Sequence, residues 1–253
     1  MLSEGEVVFT PEELERYDRQ IRIPEFGIEA QVRLKRKRAL IIGIGGLGSI
    51  ISIYLTRAGV GKLLLIDRDK VSITDLNRQI LYTHEDVGKY KVKVAIKKLS
   101  EMNPYVDVDG VSDEVNENNV DDYVREADIV IDGLDSFKTR LIVNDSCVRF
   151  KRPFIHGAVN GFNGQVMTIM PLKGPCLRCL IPKEPPEEKH IVPVIGVTPA
   201  IIGTIEALEA IKIMTGLGEP LVGYLLVVNG LHGYFRKFKI ARKPNCPACG
   251  EKR

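Results

Sequence analysis

Apolar positions in this chain fall into short continuous blocks, separated by longer stretches in which they recur every three or four residues. The blocks at 38–42, 62–67 and 127–135 are rich in Ile, Leu and Val and read as buried strands. Residues 47–57 and 136–150 carry helical spacing. Residues 89–103 alternate at first like a strand, but their length favours a helix. Near the N-terminus, Thr10, Pro11 and Glu13 suit the cap, first position and capping-box glutamate of a helix over 12–21. After Pro153 the texture changes. Residues 153–170 read as two strands with Gly-Asn turns, 198–214 as a long helix, and 221–230 and 232–240 as two more strands. Strands alternating with helices predict an α/β fold with a doubly wound, mainly parallel sheet and a C-terminal antiparallel extension. The expected division is an N-terminal arm at 1–37 and a single domain at 38–253. The proline-rich, charge-alternating stretch from Ile181 to Pro193 is either a lid over a substrate tail or a plain linker.

Charge narrows the partners. Lys and Arg total 36 against 33 Asp and Glu, a formal net charge of +3, so no strong field marks a nucleic-acid or membrane binder. The run "RLKRKR" at 33–38 reads as a solvated helix face leading into a strand. No apolar stretch reaches the roughly 18 residues of a spanning helix. The chain opens with Glu4 and Glu6 rather than a basic segment and an apolar run, so a soluble, cytoplasmic protein is expected. Four of the five cysteines form two C-x-x-C pairs, Cys176 with Cys179 and Cys246 with Cys249. In a cytosolic chain that pattern predicts a closed, structural four-thiolate Zn²⁺ site rather than disulfides or a redox pair.

Gly43, Gly45 and Gly48 stand in the order G-x-G-x-x-G behind the first strand. In that arrangement a helix N-terminus takes a pyrophosphate, and an acidic residue about 20 positions on holds a ribose, a role that Asp67 fits. The next stretch, "DRDKVSITDLNRQILY", is too polar for a nicotinamide slot, with Asp75, Asn77, Arg78 and Gln79 nearly in a row and Lys91 beyond. A triphosphate needs such cations: Arg78 can fork two phosphate oxygens and Lys91 can act as a mobile point charge. Asp135, past the strand "DIVID", would face the phosphates, which makes sense with Mg²⁺ between them. The residues therefore point to adenylation chemistry.

The ordered motifs "RYDRQI", "GIGGLGS", "IDRDKVSITDLNRQ", "VGKYK", "DGLDSFKTR", "CLRC" and "CPAC" closely resemble the ThiF/MoeB family of ubiquitin-activating-enzyme-like adenylyltransferases, across nearly the whole chain. The resemblance implies a Rossmann-like fold and a nucleotide site made of Gly43, Gly45, Gly46, Gly48, Asp67, Asp75, Asn77, Arg78, Lys91, Asp135 and Ser136. Within it, Gly46 lets the backbone approach the nucleotide, Asn77, Arg78 and Lys91 address the phosphates, and Asp135 carries Mg²⁺. Arg19 matches an arginine sent into the neighbouring subunit's site, which implies a homodimer. Asp75 departs from the family's usual Asn, and its carboxylate would repel phosphate unless it binds metal or ribose. The substrate implied is the Gly-Gly carboxylate of a small ubiquitin-fold sulfur carrier, adenylated by ATP and then thiolated from a sulfur donor, as in molybdopterin, thiamine or tRNA-thiolation pathways. The alternatives are another carboxylate (a tRNA-borne carbamoyl-threonine or a peptide C-terminus), an NAD-dependent oxidoreductase, and a non-catalytic scaffold. Relatives often carry a further cysteine between the two pairs, but none occurs at 180–245 here, and Cys147 reads as a buried structural thiol, so no thioester to this chain is expected. The histidines at 84, 156, 190 and 232 read as surface or satisfied interior residues. Asp132 reads as a cap for the turn after its strand, and Arg140 either as a nucleotide contact or as an ion-pair partner.

Overall fold

In the computed structural model, which describes residues 8–185 and 192–250, the chain opens with α1 (Pro11–Ile21). Its capping box forms as the sequence predicts: the Glu13 amide donates to Thr10 Oγ1 at 3.1 Å, and the Thr10 amide donates to Glu13 Oε2 at 3.0 Å. In α2 (Gly27–Lys35), Ala30 and Leu34 are fully buried. Then follow β1 (Arg38–Ile42), α3 (Gly46–Ala58), β2 (Lys62–Ile66), α4 (Lys91–Met102), β3 (Asp107–Val111), α5 (Val120–Glu126), β4 (Ile129–Asp132), α6 (Phe137–Arg149) and β5 (Phe154–Asn160). The connection from β2 to α4 carries two single-turn 3-10 helices, Ile73–Asp75 and His84–Asp86. The C-terminal part adds β6 (Asn163–Ile169), α7 (Leu177–Leu180), α8 (Val197–Thr215), β7 (Tyr224–Asn229) and β8 (Tyr234–Lys239).

All eight strands form one sheet in the order β3-β2-β1-β4-β5-β6-β7-β8. Pairing is parallel from β3 through β5 and antiparallel from β5 to β8. Alternate residues on the inner strands feed two cores, while β8 is exposed throughout. Ala39 and Ile41 of β1 join Leu34, Ile51, Leu55 and Ile202 on one face, while Leu40 and Ile42 join Val124, Leu141 and Phe154 on the other. The elements outside the patterns read from sequence include β3, α5, the four-residue α7 and the first part of α2. On β3, Val108 turns inward between exposed Asp107 and Asp109, so it is a charged edge strand with little apolar signature.

The basic run at 33–38 is not one helix face. It ends α2, turns and enters β1, and its charges go to different carboxylates: Arg33 to Glu29 at 3.9 Å, Lys35 to Glu13, Lys37 to Asp128 at 3.9 Å and Arg38 to Glu126 at 3.7 Å. Among the described residues, no helix is long and apolar enough to cross a membrane. The stretch considered as a lid falls partly on 186–191, outside the described residues.

Candidate nucleotide site and metal centre

Strand β1 has β2 on one side and β4 on the other, and helices α3 and α6 leave these central strands for opposite faces of the sheet. That is a topological switch point, where doubly wound sheets bind ligands at the carboxyl ends of their strands. The turns after β1 and β4 meet there backbone to backbone. Gly43 has φ +87°, and a Cβ on it would lie 2.5 Å from the Gly133 carbonyl oxygen. A Cβ on Gly133 would lie 2.0 Å from the Gly43 oxygen, and one on Gly48 would lie 1.9 Å from that same oxygen. Only glycine fits at these three positions. Gly45 caps α3 without a side-chain hydrogen bond, which leaves the first N–H groups of that helix available to an anion. Gly46 packs against α8, where its Cβ would come 3.2 Å from Pro199 Cβ.

Asp67, just past β2, shapes this turn: its Oδ2 accepts the Ile44 amide at 2.7 Å and its Oδ1 the Asp69 amide at 2.8 Å. Burial pushes its carboxyl above the ordinary range, and nearby Lys91 pulls it partly back. The buried Tyr82 hydroxyl donates to the Ile44 carbonyl at 2.9 Å, and burial raises it far above its usual value, so it stays protonated and bonded.

The segment after β2 gathers the predicted phosphate ligands, but around a carboxylate. Asp75 Oδ2 accepts the Ser72 amide at 3.0 Å, and its Oδ1 accepts Gln79 Nε2 at 2.8 Å and Arg78 Nη2 at 3.3 Å. Lys91, the first residue of α4 and 5 % exposed, sits 3.3 Å from Asp69 Oδ2 and 3.7 Å from Asp75 Oδ2. Arg78 also donates to the Thr74 carbonyl at 2.7 Å and to Asn77 Oδ1 at 3.1 Å. The expected repulsion by Asp75 is thus cancelled locally. Asp67, Asp69 and Asp75 match Arg78, Lys91 and Arg68, the last 3.7 Å from Asp69, so the corner holds no surplus of positive charge. The N-terminal end of α8 closes on the same segment, since a Cβ on Gly196 would lie 2.4 Å from the Asn77 carbonyl oxygen.

Asp135 is exposed in the loop after β4, and Ser136 caps α6 with its backbone alone. Asp132 is the turn cap read from sequence: its Oδ1 accepts the Leu134 amide at 2.9 Å. Arg140 is its ion-pair partner, at 2.9 Å. His156 is a satisfied interior histidine, with Nδ1 2.7 Å from Asp132 Oδ2 and Nε2 3.1 Å from Gln165 Nε2. His84 and His232 are exposed, and His190 lies outside the described residues.

Arg19 is not brought to this corner within its own chain. Its neighbours on α1 anchor at the far end of α3: Gln20 Nε2 donates to the Ala58 carbonyl at 2.9 Å, and the Tyr17 hydroxyl accepts from Asn103. That end is about 18 Å of helix from the glycine turn. Sequence reading passes over Asp69 and Tyr82 as site components, and it weighs Asp132 and Arg140 separately without pairing them. The Asp-x-Asp spacing of Asp67 and Asp69 was the one local signal available.

The four paired cysteines converge from α7 and the C-terminal tail. Their Sγ atoms lie within 4.8 Å of one another, and all four side chains are buried. The short approaches cross between the motifs, Cys176 to Cys246 and Cys179 to Cys249, each at 3.5 Å. Zn–S bonds of about 2.3 Å in a tetrahedron require sulfurs about 3.8 Å apart, so the donor set fits a closed metal site. Asn144 Oδ1 accepts the Leu177 amide at 2.8 Å, which ties the cluster to α6. Cys147 is fully buried, and burial pushes its thiol well above the ordinary range, as an inert structural cysteine requires.

The model of the ThiF family matches residues 17–248. The sulfur carrier protein adenylyltransferase of Thermus thermophilus is 42% identical over 96% of this chain and 93% of its own length. The SAMP-activating enzyme E1 of Haloferax volcanii is 40% identical over 94% of this chain and 90% of its own. Among solved structures, E. coli MccB with succinimide superposes with a TM-score of 0.84 at 25% identity, covering 93% of this chain and 74% of that one. The chain belongs to the ThiF family.

Proposed function

We propose that this chain is an adenylyltransferase that activates the C-terminal Gly-Gly carboxylate of a small ubiquitin-fold sulfur carrier as an acyl-adenylate. The observation that carries this reading is the contact between the glycine turn and the Asp135 loop at the switch point, with Arg78 and Lys91 on the adjoining segment. The two relatives described above, at 42% and 40% identity, support the carrier as substrate.

The carrier carboxylate attacks the α-phosphorus of ATP, and the bond to the β-phosphate breaks. Pyrophosphate leaves with the electron pair, and the carboxyl group becomes a mixed anhydride with AMP. Sulfide then attacks the acyl carbon, the bond from that carbon to the bridging oxygen breaks, AMP departs with the electron pair and a thiocarboxylate remains. A carboxylate is already nucleophilic at neutral pH, so no general base is needed and the protein's work is positioning and charge stabilisation. The α3 N–H groups cradle phosphate, Asp67 accepts ribose hydroxyls, and Arg78 and Lys91 exchange carboxylate partners for phosphate oxygens. Because carboxylates already balance the cations, a triphosphate needs a divalent ion, and Asp135 fits as its ligand. When bound, Mg²⁺ would neutralise charge on the departing phosphates. Zn²⁺ in the four-cysteine cluster would serve structure, and Arg19 would enter the partner site of a homodimer.

ATP–pyrophosphate exchange tests the reading. The expected result is exchange that requires a folded carrier ending in Gly-Gly and that falls at least a hundredfold in Arg78→Ala. Exchange driven as well by a short peptide or by tRNA would replace the carrier with those substrates. Binding of NAD more tightly than ATP, with no exchange, would return the site to redox chemistry.

A further inference from the structure

Beneath the Asp135 loop lies an ion pair that the phosphate chemistry does not use. Asp132 ends β4 with no exposed surface, and Arg140, one turn into α6, is 4 % exposed. Burying two charges costs several kcal/mol per ion, and apolar residues of similar volume would hold the strand and helix together at least as well. The guanidinium does more than neutralise Asp132. Its Nε donates to Asp132 Oδ2 at 2.9 Å, while Nη2 donates to the Leu134 carbonyl and, at 3.0 Å, to the Gly157 carbonyl on β5. Phe137 covers it, with the ring centroid 5.1 Å from Cζ. Leu134 is therefore held at both ends of its residue, by Asp132 at the amide and by Arg140 at the carbonyl. The next residue is Asp135. Gly133 completes the clamp, its amide donating to the Ile42 carbonyl at 2.8 Å.

We propose that Arg140 is a positioning residue that fixes the Asp135 carboxylate at the carboxyl end of the sheet and so sets the site's affinity for the divalent cation of a metal–nucleotide complex. This rests on the adenylation reading. The two groups packed around the pair leave its charge balance intact. His156, against Asp132, is kept neutral by burial, and Glu206 of α8, whose carboxyl carbon would lie 2.3 Å from a Cβ on Gly157, is kept protonated by burial. Arg140 is therefore the cation that answers Asp132, and its Nη2 group is committed to two carbonyls, one of them in the loop. Partners that orient a metal-binding carboxylate in this way typically alter metal affinity 10- to 100-fold when removed.

The test is Mn²⁺ binding by electron paramagnetic resonance in the presence of α,β-methylene ATP, with ATP–pyrophosphate exchange against Mg²⁺ concentration as a second readout. Arg140→Gln should weaken Mn²⁺ binding about tenfold or more and raise the half-saturating Mg²⁺ for exchange in parallel, with a smaller change at saturating Mg²⁺. Arg140→Lys keeps the charge but loses the fork, and should fall between wild type and Arg140→Gln. His156→Gln disturbs the same core without touching the loop, so it should lower Tm and leave Mn²⁺ affinity within about twofold. Unchanged Mn²⁺ affinity in Arg140→Gln overturns the proposal, as does equal weakening in His156→Gln. If Arg140→Gln does not fold, wild-type affinity in Arg140→Lys overturns it instead. Asp135→Asn separates the two levels. If it leaves Mn²⁺ affinity unchanged, the metal assignment itself fails and the positioning role with it. Dependence on Asp135 but not on Arg140 sinks the positioning role alone.

Discussion

Glu206 is a carboxyl group with no exposed surface and no hydrogen-bond partner for either oxygen among the described residues. Burial raises it well above its ordinary value of 4.5, with Asp132 adding to the rise and Arg140 opposing it. The folded state therefore holds a proton that the unfolded chain releases above that value, so Glu206 makes stability decline as pH rises, by up to about 1.4 kcal/mol per pH unit. His156 acts at the other end. Burial lowers it from 6.5, and the unfolded chain binds the extra proton below that pH, so stability is lost on acidification. Urea unfolding at pH 6 and pH 9 should show Glu206→Gln gaining on wild type as pH rises; a constant difference would mean the carboxyl is not neutral in the fold. Asp75 shows how context sets a residue's part. Alone in the sequence it reads as repulsive to phosphate, yet in the fold it holds Arg78, Gln79 and Lys91 within one segment.

At the scale of elements, the glycine turn and the loop after β4 are one object, because Gly43 and Gly133 leave no room between them. In Gly43→Ala, the left-handed φ costs about 1–3 kcal/mol and the new methyl group lands on backbone that cannot yield without parting β1 from β4. Differential scanning calorimetry should show a lowered Tm, and ATP binding should be lost. Retention of wild-type ATP affinity would show that the two turns move independently. Much at this scale was legible from local chemistry. The capping box of α1, the buried strands β1, β2 and β4 and the hairpin β5–β6 each declare themselves within a few residues. The edge strand β3 and the short α5 do not, since at five and seven residues they show their inward positions, Val108 on β3 and Val120 and Val124 on α5, over too few residues for a period to be read. Also hidden were partnerships between residues distant in sequence: Asp132 with His156, Glu206 beneath Gly157, and Asp69 with Lys91. Their meaning depends on which strands lie side by side, which composition and spacing do not encode.

At the scale of the molecule, the cysteine cluster joins the C-terminal tail to α6 across the antiparallel part of the sheet. Thiolate sites in small metal-folded peptides gain about 10–16 kcal/mol from zinc, so chelation should loosen this end. Protease cleavage after residue 239 should accelerate on chelation and recover with added Zn²⁺, and an unchanged cleavage rate would remove the metal from the structural account. The placement of Arg19 far from its own glycine turn predicts complementation between subunits. Equal mixing and reassembly of Arg19→Ala and Arg78→Ala proteins should restore about a quarter of wild-type exchange, because half of the dimers would carry one intact site. No recovery would keep Arg19 out of the partner's site.

Attack by the carrier carboxylate on the α-phosphate fixes the fate of one oxygen. A carrier labelled with ¹⁸O in its C-terminal carboxylate, incubated with ATP, enzyme and sulfide, should yield AMP carrying a labelled oxygen together with unlabelled pyrophosphate. Label in inorganic phosphate with ADP as the nucleotide product, or nucleotide turnover that leaves the label wholly in the carrier, would contradict carboxylate attack on the α-phosphate at this site.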